Sequence, residues 1–148
     1  LGYKSFDLSA FFQGLARESF FIDPKSTAPF VNNAQLLQVY ADNHWSEENQ
    51  DMYALWPRLS TTDISNNQQA STWWMRDGSF MRLKSLEMGY SLPERWIKPL
   101  KVENFRIYFS GLNLLTFSSF KLWDPEQAGN GFAYPIQKVF NLGVNINF

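Results

Sequence analysis

The residues able to do chemistry are few. Fourteen carboxylates, one histidine and no cysteine leave no thiol nucleophile, no thiolate metal site and no disulfide framework. His44 stands alone, with no Ser or Cys partner motif near it, and neither G-x-S-x-G nor H-E-x-x-H occurs. Glu47, Glu48 and Asp51 supply the ligand type that calcium takes, yet they lack the EF-hand spacing and its glycine. No catalytic residue, metal site or cofactor is therefore assigned. Asp124, before Pro125, suits a turn that it stabilises by bonding its own backbone. What the chain has in quantity is aromatic surface: Trp45, Trp56, Trp73, Trp74 and Trp123. Indole faces stack on sugar rings and fill peptide pockets, and Trp is prominent among interface hot spots. The same rings also pack long loops that need a small core of their own.

Composition narrows the class. Of 148 residues, 45% are apolar, 18% aromatic and 18% charged, against roughly 25% charged in a typical soluble domain. A disordered chain is aromatic-poor and highly charged, so that class is excluded. Thirteen basic and fourteen acidic residues give a net charge of −1, which offers nothing for counterion release, so nucleic acid is not an expected partner. No apolar run approaches the roughly 20 residues of a membrane helix. Any membrane must be crossed by strands. The chain opens on Leu1, with no basic-then-apolar leader; it is expected to be either a processed product or a piece of something longer.

Four segments alternate with period 2 and predict strands over residues 3–13, 80–90, 105–112 and 139–148. In the last, Phe140, Leu142, Val144, Ile146 and Phe148 share one face, opposite Val139, Asn141, Gly143, Asn145 and Asn147. In the first, Phe6, Leu8, Ala10 and Phe12 oppose Asp7, Ser9 and Gln13, with Phe11 the exception; in the third, Phe105, Ile107 and Phe109 oppose Arg106, Tyr108 and Ser110. The second strand changes parity. Met81 and Leu83 fall on one face, Leu86, Met88 and Tyr90 on the other. A β-bulge at Lys84 and Ser85 restores a single apolar face, because it inserts the one residue that switches parity. The connections are long (14–79), short (91–104) and long (113–137). Short helices are expected at Glu94–Leu100, opened by Pro93, and at Ala34–Ala41, with Asn33 as a possible N-cap.

Strands of about 9 to 11 residues, apolar on one face, with connections short at one end and long at the other, fit a transmembrane β-barrel. Lipid must meet only apolar side chains, while every backbone N–H and C=O pairs with a neighbouring strand. The alternative is a soluble carbohydrate-binding β-sandwich, in which the apolar face is core and the Trp residues form a flat binding face. Three details favour the barrel. The apolar face runs to Phe148; the polar faces carry Asn, Ser and Gly more than Lys and Glu; and Phe80, Tyr90, Trp96, Phe117, Phe120 and Tyr134 gather near strand ends, where aromatic girdles sit. Four strands cannot close a barrel, so the outer edges are expected to pair with strands elsewhere.

At this point the residues resemble a known family. The stretch Met81-Arg82-Leu83-Lys84-Ser85-Leu86-Glu87-Met88-Gly89-Tyr90-Ser91-Leu92-Pro93, then Arg106 to Phe117, Trp123-Asp124-Pro125-Glu126, Tyr134-Pro135 and the strand closing on Phe148 look like the C-terminal barrel end of a SusC/RagA-type TonB-linked outer-membrane transporter. Trp45-Ser46-Glu47-Glu48-Asn49 and Pro57-Arg58-Leu59-Ser60 look like that family's last large extracellular loop.

The resemblance implies an all-β, roughly 22-stranded barrel with a plugged lumen, of which these residues are the last antiparallel strands. It implies import of glycans or peptides driven through the TonB complex, a SusD-like surface lipoprotein as lid, and outer-membrane lipid around the barrel. Plug and TonB-contacting segments have no counterpart here, so transport is expected only of a larger protein. The C-terminus is then periplasmic, loops 14–79 and 113–137 are extracellular, and 91–104 is a periplasmic connection. Trp73 and Trp74 are the foremost candidates for contact with substrate or lid protein, followed by Trp45, Trp56 and Trp123. Phe140, Leu142, Val144, Ile146 and Phe148 are expected to face lipid and to form the signal read by the barrel assembly machinery through β-augmentation.

Overall fold

The computed structural model describes residues 1–30 and 33–148, the side chain of Leu100 apart. Val31 and Asn32, inside the long loop 14–79, lie outside the described residues. Among the described residues there are seven strands: β1 (Gly2–Tyr3), β2 (Phe6–Leu15), β3 (Ser19–Phe21), β4 (Met75–Asp77), β5 (Phe80–Ser91), β6 (Asn104–Ser118) and β7 (Val139–Asn147). Three short α-helices accompany them: α1 (Pro24–Thr27), α2 (Gln38–Asp42) and α3 (Glu94–Ile97). The chain divides into a sheet unit (residues 1–18, 77–126 and 133–148) and a loop unit (19–76 and 127–132).

The sheet unit is one five-stranded antiparallel sheet in the order β1-β2-β5-β6-β7. It is open and does not close into a barrel by itself. Register decides which side chains share a face. Phe6, Leu8 and Ala10 lie opposite Tyr90, Met88 and Leu86, and these lie opposite Ile107, Phe109 and Gly111, which in turn face Val144, Leu142 and Phe140. The other face carries Asp7 and Ser9, Gly89 and Glu87, Tyr108 and Ser110, Gly143 and Asn141 at the matching positions.

The parity switch in β5 is a bulge. Phe11 pairs with Ser85 and Phe12 with Leu83, which leaves Lys84 without a partner on β2; against β6, Ser85 pairs with Leu112 and Leu83 with Leu115. Two residues of β6, Asn113 and Leu114, therefore stand against the single residue Lys84, and Asn113 takes a left-handed φ of 54°. Beyond the bulge Leu83 and Met81 rejoin the face of Phe12, Leu115 and Phe117, so the apolar surface continues across strands whose own alternation breaks. This is also why β6 runs on to Ser118 although its regular alternation stops at Leu112.

The apolar face has no cover. Phe140 is 63% exposed, Leu142 78%, Val144 53% and Phe148 84%. A β-sandwich requires a second sheet over these side chains, so the sandwich alternative does not hold. On the polar face Arg82 (1% exposed) and Phe80 are buried.

Both expected helices are shorter than the pattern suggested. Residues 94–100 split into α3 and a 3-10 turn at Lys98–Leu100, because Pro99 has no N–H with which to continue an α-helix. In the long loop, the helix begins at Gln38 and not Ala34; extended Leu37 is its N-cap residue, and Asn33 sits at φ 63° and caps nothing there.

Candidate functional site

The loop unit is built around aromatic rings. β3 pairs with β4, and the Ile22 amide donates to the Trp74 carbonyl at 2.9 Å. Pro24 opens α1, whose first turn is capped by Asp23, its Oδ1 accepting from the Lys25 amide at 3.1 Å. Tyr40 on α2 packs on Trp56 with ring centroids 4.8 Å apart, and Trp56 packs on Trp74 at 4.9 Å. All three are buried, and burial pushes the Tyr40 hydroxyl pKa up.

Polar groups fix the backbone around this stack. The Trp56 amide donates to the Asn43 carbonyl at 3.2 Å, the Trp45 amide donates to the Trp56 carbonyl at 2.9 Å, and Asn43 Oδ1 accepts from the Leu55 amide at 3.0 Å. His44 Nδ1 lies 2.9 Å from the Ala41 carbonyl and 3.1 Å from that of Tyr40, which places the ring at the end of α2 as a donor to its last carbonyls. The half-buried Arg76 guanidinium donates to the carbonyls of Trp73 and Met75, and burial lowers its pKa. Two of the three acids weighed for calcium have other contacts. Glu47 pairs with Arg58 at 3.5 Å, and Asp51 accepts from the Tyr53 amide at 2.8 Å.

Beside the stack is a cavity of about 430 Å³. Trp45, Trp73 and Trp74 line it together with Met52 and Pro57; Asn66, Asn67, Ser71 and Arg58 form its polar part. Three of the five tryptophans singled out in the sequence thus converge. Trp56 does not join them, because its ring is used between Tyr40 and Trp74 in the core. Trp123 belongs to the sheet unit, edge-on to Phe120 at 4.9 Å. Asn66 and Asn67 fall on a 3-10 turn, Ser65–Gln68, and carried no signal in the sequence beyond the polarity of a loop.

The polar face of the sheet holds two ion clusters that sequence reasoning also missed. Arg82 donates to Asp124 Oδ1 and has Glu126 Oε1 3.8 Å from its Nε, while Lys84 reaches Glu126 at 3.4 Å. Asp124 Oδ1 also accepts from the Glu126 amide at 3.0 Å, so the Asp-Pro turn bonds its own backbone as its sequence implied and pairs with a buried arginine as well. Arg106 bridges Asp7 and Glu87.

A sheet with one uninterrupted apolar face left open, and a polar face carrying ion pairs, is the wall of a transmembrane β-barrel. The comparisons with known proteins agree. The chain is 30% identical over 167 residues to TonB-dependent receptor P3 of Formosa agariphila and 28% identical over 163 residues to TonB-dependent receptor P26 of the same organism. All of this chain takes part in each match, but it spans 15% and 16% of the relatives' own length. Among solved structures, it matches the RagAB peptide transporter (TM-score 0.70, 24% identity) and the RagAB peptide importer in its closed-closed state (TM-score 0.70, 25% identity), covering 99% of this chain and 16% of that chain in both. No family model matches. The chain therefore corresponds to a fragment of much larger TonB-dependent, RagA-type barrel proteins. These relatives are receptors and transporters by name, not enzymes.

Proposed function

We propose that this chain supplies the last strands and long outer loops of a TonB-dependent outer-membrane importer of oligomeric nutrients, glycans or peptides, with a SusD-like lipoprotein as its lid. The observation that carries this reading is the uncovered apolar face shared by β2, β5, β6 and β7. The likeness to TonB-dependent receptors and to a peptide transporter supports the class of activity. In this reading β7 descends to a periplasmic C-terminus, the connection containing α3 is periplasmic, and loops 14–79 and 113–137 face outward, where the tryptophan-lined cavity meets cargo or lid. Phe148 and the apolar side of β7 serve both as lipid-facing surface and as the edge read during barrel assembly.

The test uses the intact protein in its native cells. Deletion of its gene should abolish growth on at least one oligopeptide or oligosaccharide as sole carbon source, uptake should stop when the proton-motive force is dissipated, and an affinity tag on the barrel should retain a surface lipoprotein. Recovery of the intact protein from the aqueous fraction, or growth unchanged on every such cargo, would overturn the reading. Alanine at both Trp73 and Trp74 should lower uptake or lid binding; if both are unchanged, these residues only pack the loop.

A further inference from the structure

The chemistry lining the loop cavity discriminates between the two kinds of cargo. At about 430 Å³ it falls within the range of roughly 300–1,000 Å³ typical of ligand pockets. Its apolar wall is made of indoles, a thioether and a prolyl ring, and no carboxylate is among the side chains described around it. A buried sugar brings several hydroxyls, each a donor that needs an acceptor, and this wall supplies few. A peptide asks for less. Each residue presents one N–H and one C=O, which a single Asn amide matches with one acceptor and one donor, and the rest of the space takes a side chain. One N–H of the Asn67 amide already donates to the Arg58 carbonyl at 3.4 Å, and Asn66, more exposed on the same 3-10 turn, is the better placed for the match. Large rings fit the indole walls in tilted or edge-on contact.

We infer that the cavity formed by Trp45, Trp73, Trp74, Met52 and Pro57 seats one large apolar side chain of a peptide cargo, with the adjoining peptide unit on the amide of Asn66. This rests on the import reading above. Met52 at the rim is a flexible thioether, 68% exposed, suited to adapt to side chains of different shape.

Purified intact transporter in detergent tests the assignment by calorimetric titration with three probes: Ala-Ala-Phe-Ala-Ala, penta-alanine and maltopentaose. The wild type should favour the phenylalanine peptide over penta-alanine by about tenfold or more. Met52→Trp and Ser71→Trp, both at exposed positions, should fill the cavity and bring the two peptides to near parity. Asn66→Ala should weaken both peptides alike. Preference retained in both filling variants, or maltopentaose as the one probe they weaken, would overturn the peptide assignment and leave import standing. If the wild type binds none of the probes and cells lacking the gene take up every peptide and oligosaccharide normally, import itself fails, and this assignment with it.

Discussion

Arg106 on β6 grips Asp7 on β2 across the whole width of β5, over the bare backbone of Gly89. Its Nε donates to Asp7 Oδ1 at 3.0 Å, its Nη2 to Oδ2, and the same Nη2 reaches Glu87 at 2.7 Å. A Cβ built at Gly89 would collide with both the guanidinium and the carboxylate, so the glycine is what lets an ion pair lie flat across three strands. Tyr108, directly opposite Gly89, lies in the same way over Gly143 of β7, and the Arg106 guanidinium sits 5.4 Å from the centre of its ring. One row of the polar face thus ties β2, β5, β6 and β7 together through two glycine seats.

Gly89→Ala should therefore break the row while leaving strand pairing formally possible. In the intact barrel we expect a lower temperature for loss of the fast-migrating folded band on unheated gels. The drop should exceed that of Asp7→Asn, which keeps the shape and weakens the charge. Equal behaviour of Gly89→Ala and wild type would show that the seat has no structural role.

Lys84 is the extra residue that switches parity in β5. Deleting it brings Ser85 next to Leu83, whose faces already differ, so the deletion keeps Arg82 on the polar face and removes only the bulge against β2. Arg82→Met keeps the register but strands Asp124 and Glu126, costing roughly 3 kcal/mol, the lower end for breaking a buried pair, since both acids keep some solvent. The substitution should reduce folded protein in the outer membrane and loosen residues 119–127 in hydrogen exchange.

Adjacent residues of β7 provide a direct test of the faces. Leu142→Arg should cost about 2–4 kcal/mol if it lies near the midplane and cut the yield of folded barrel severalfold. Asn141→Arg, on the opposite face beside Ser110, should leave the yield near wild type. The reverse order of sensitivity would invert the assignment of lipid and lumen.

Asp77 gives the end of the sheet near Phe80 a pH dependence. Hydrogen bonds from Ser79, through side chain and amide, and from the Ser119 hydroxyl hold its carboxyl below the ordinary range. A depressed native pKa means that the ionised form stabilises the fold above the unfolded value of about 3.9, and that this contribution is lost as pH falls through the native value. Protection of the Ser79 amide against hydrogen exchange, corrected for intrinsic rates, should fall below about pH 4 in the wild type. In Asp77→Asn it should be weaker and nearly independent of pH over the same window.

How much of this was legible beforehand depended on range. Period-2 alternation in residues 139–148 and 80–90 fixed the strands and their unlike faces, because the pleat puts alternate side chains on opposite sides whatever the neighbours are. The slip between Leu83 and Leu86 pointed to the bulge for the same local reason. The helices at 34–41 and 94–100 were overextended because short amphipathic runs were read without weighing the stop that Pro99 imposes or the extended backbone at Leu37. The tryptophans announced a binding or packing role but not which, since Trp56 and Trp73 look alike in sequence and differ in what surrounds them.

The sequence by itself determined the strands and their apolar side, since both are written in spacing along the chain; the likeness to RagA-type barrels rested on whole blocks of residues. Only the tertiary structure decided that Arg106 meets Asp7, that Arg82 meets Asp124, and that Trp45, Trp73 and Trp74 line a cavity that Trp56 does not. Those contacts join residues far apart in the chain. They depend on strand register and loop closure, which no local pattern of side chains specifies.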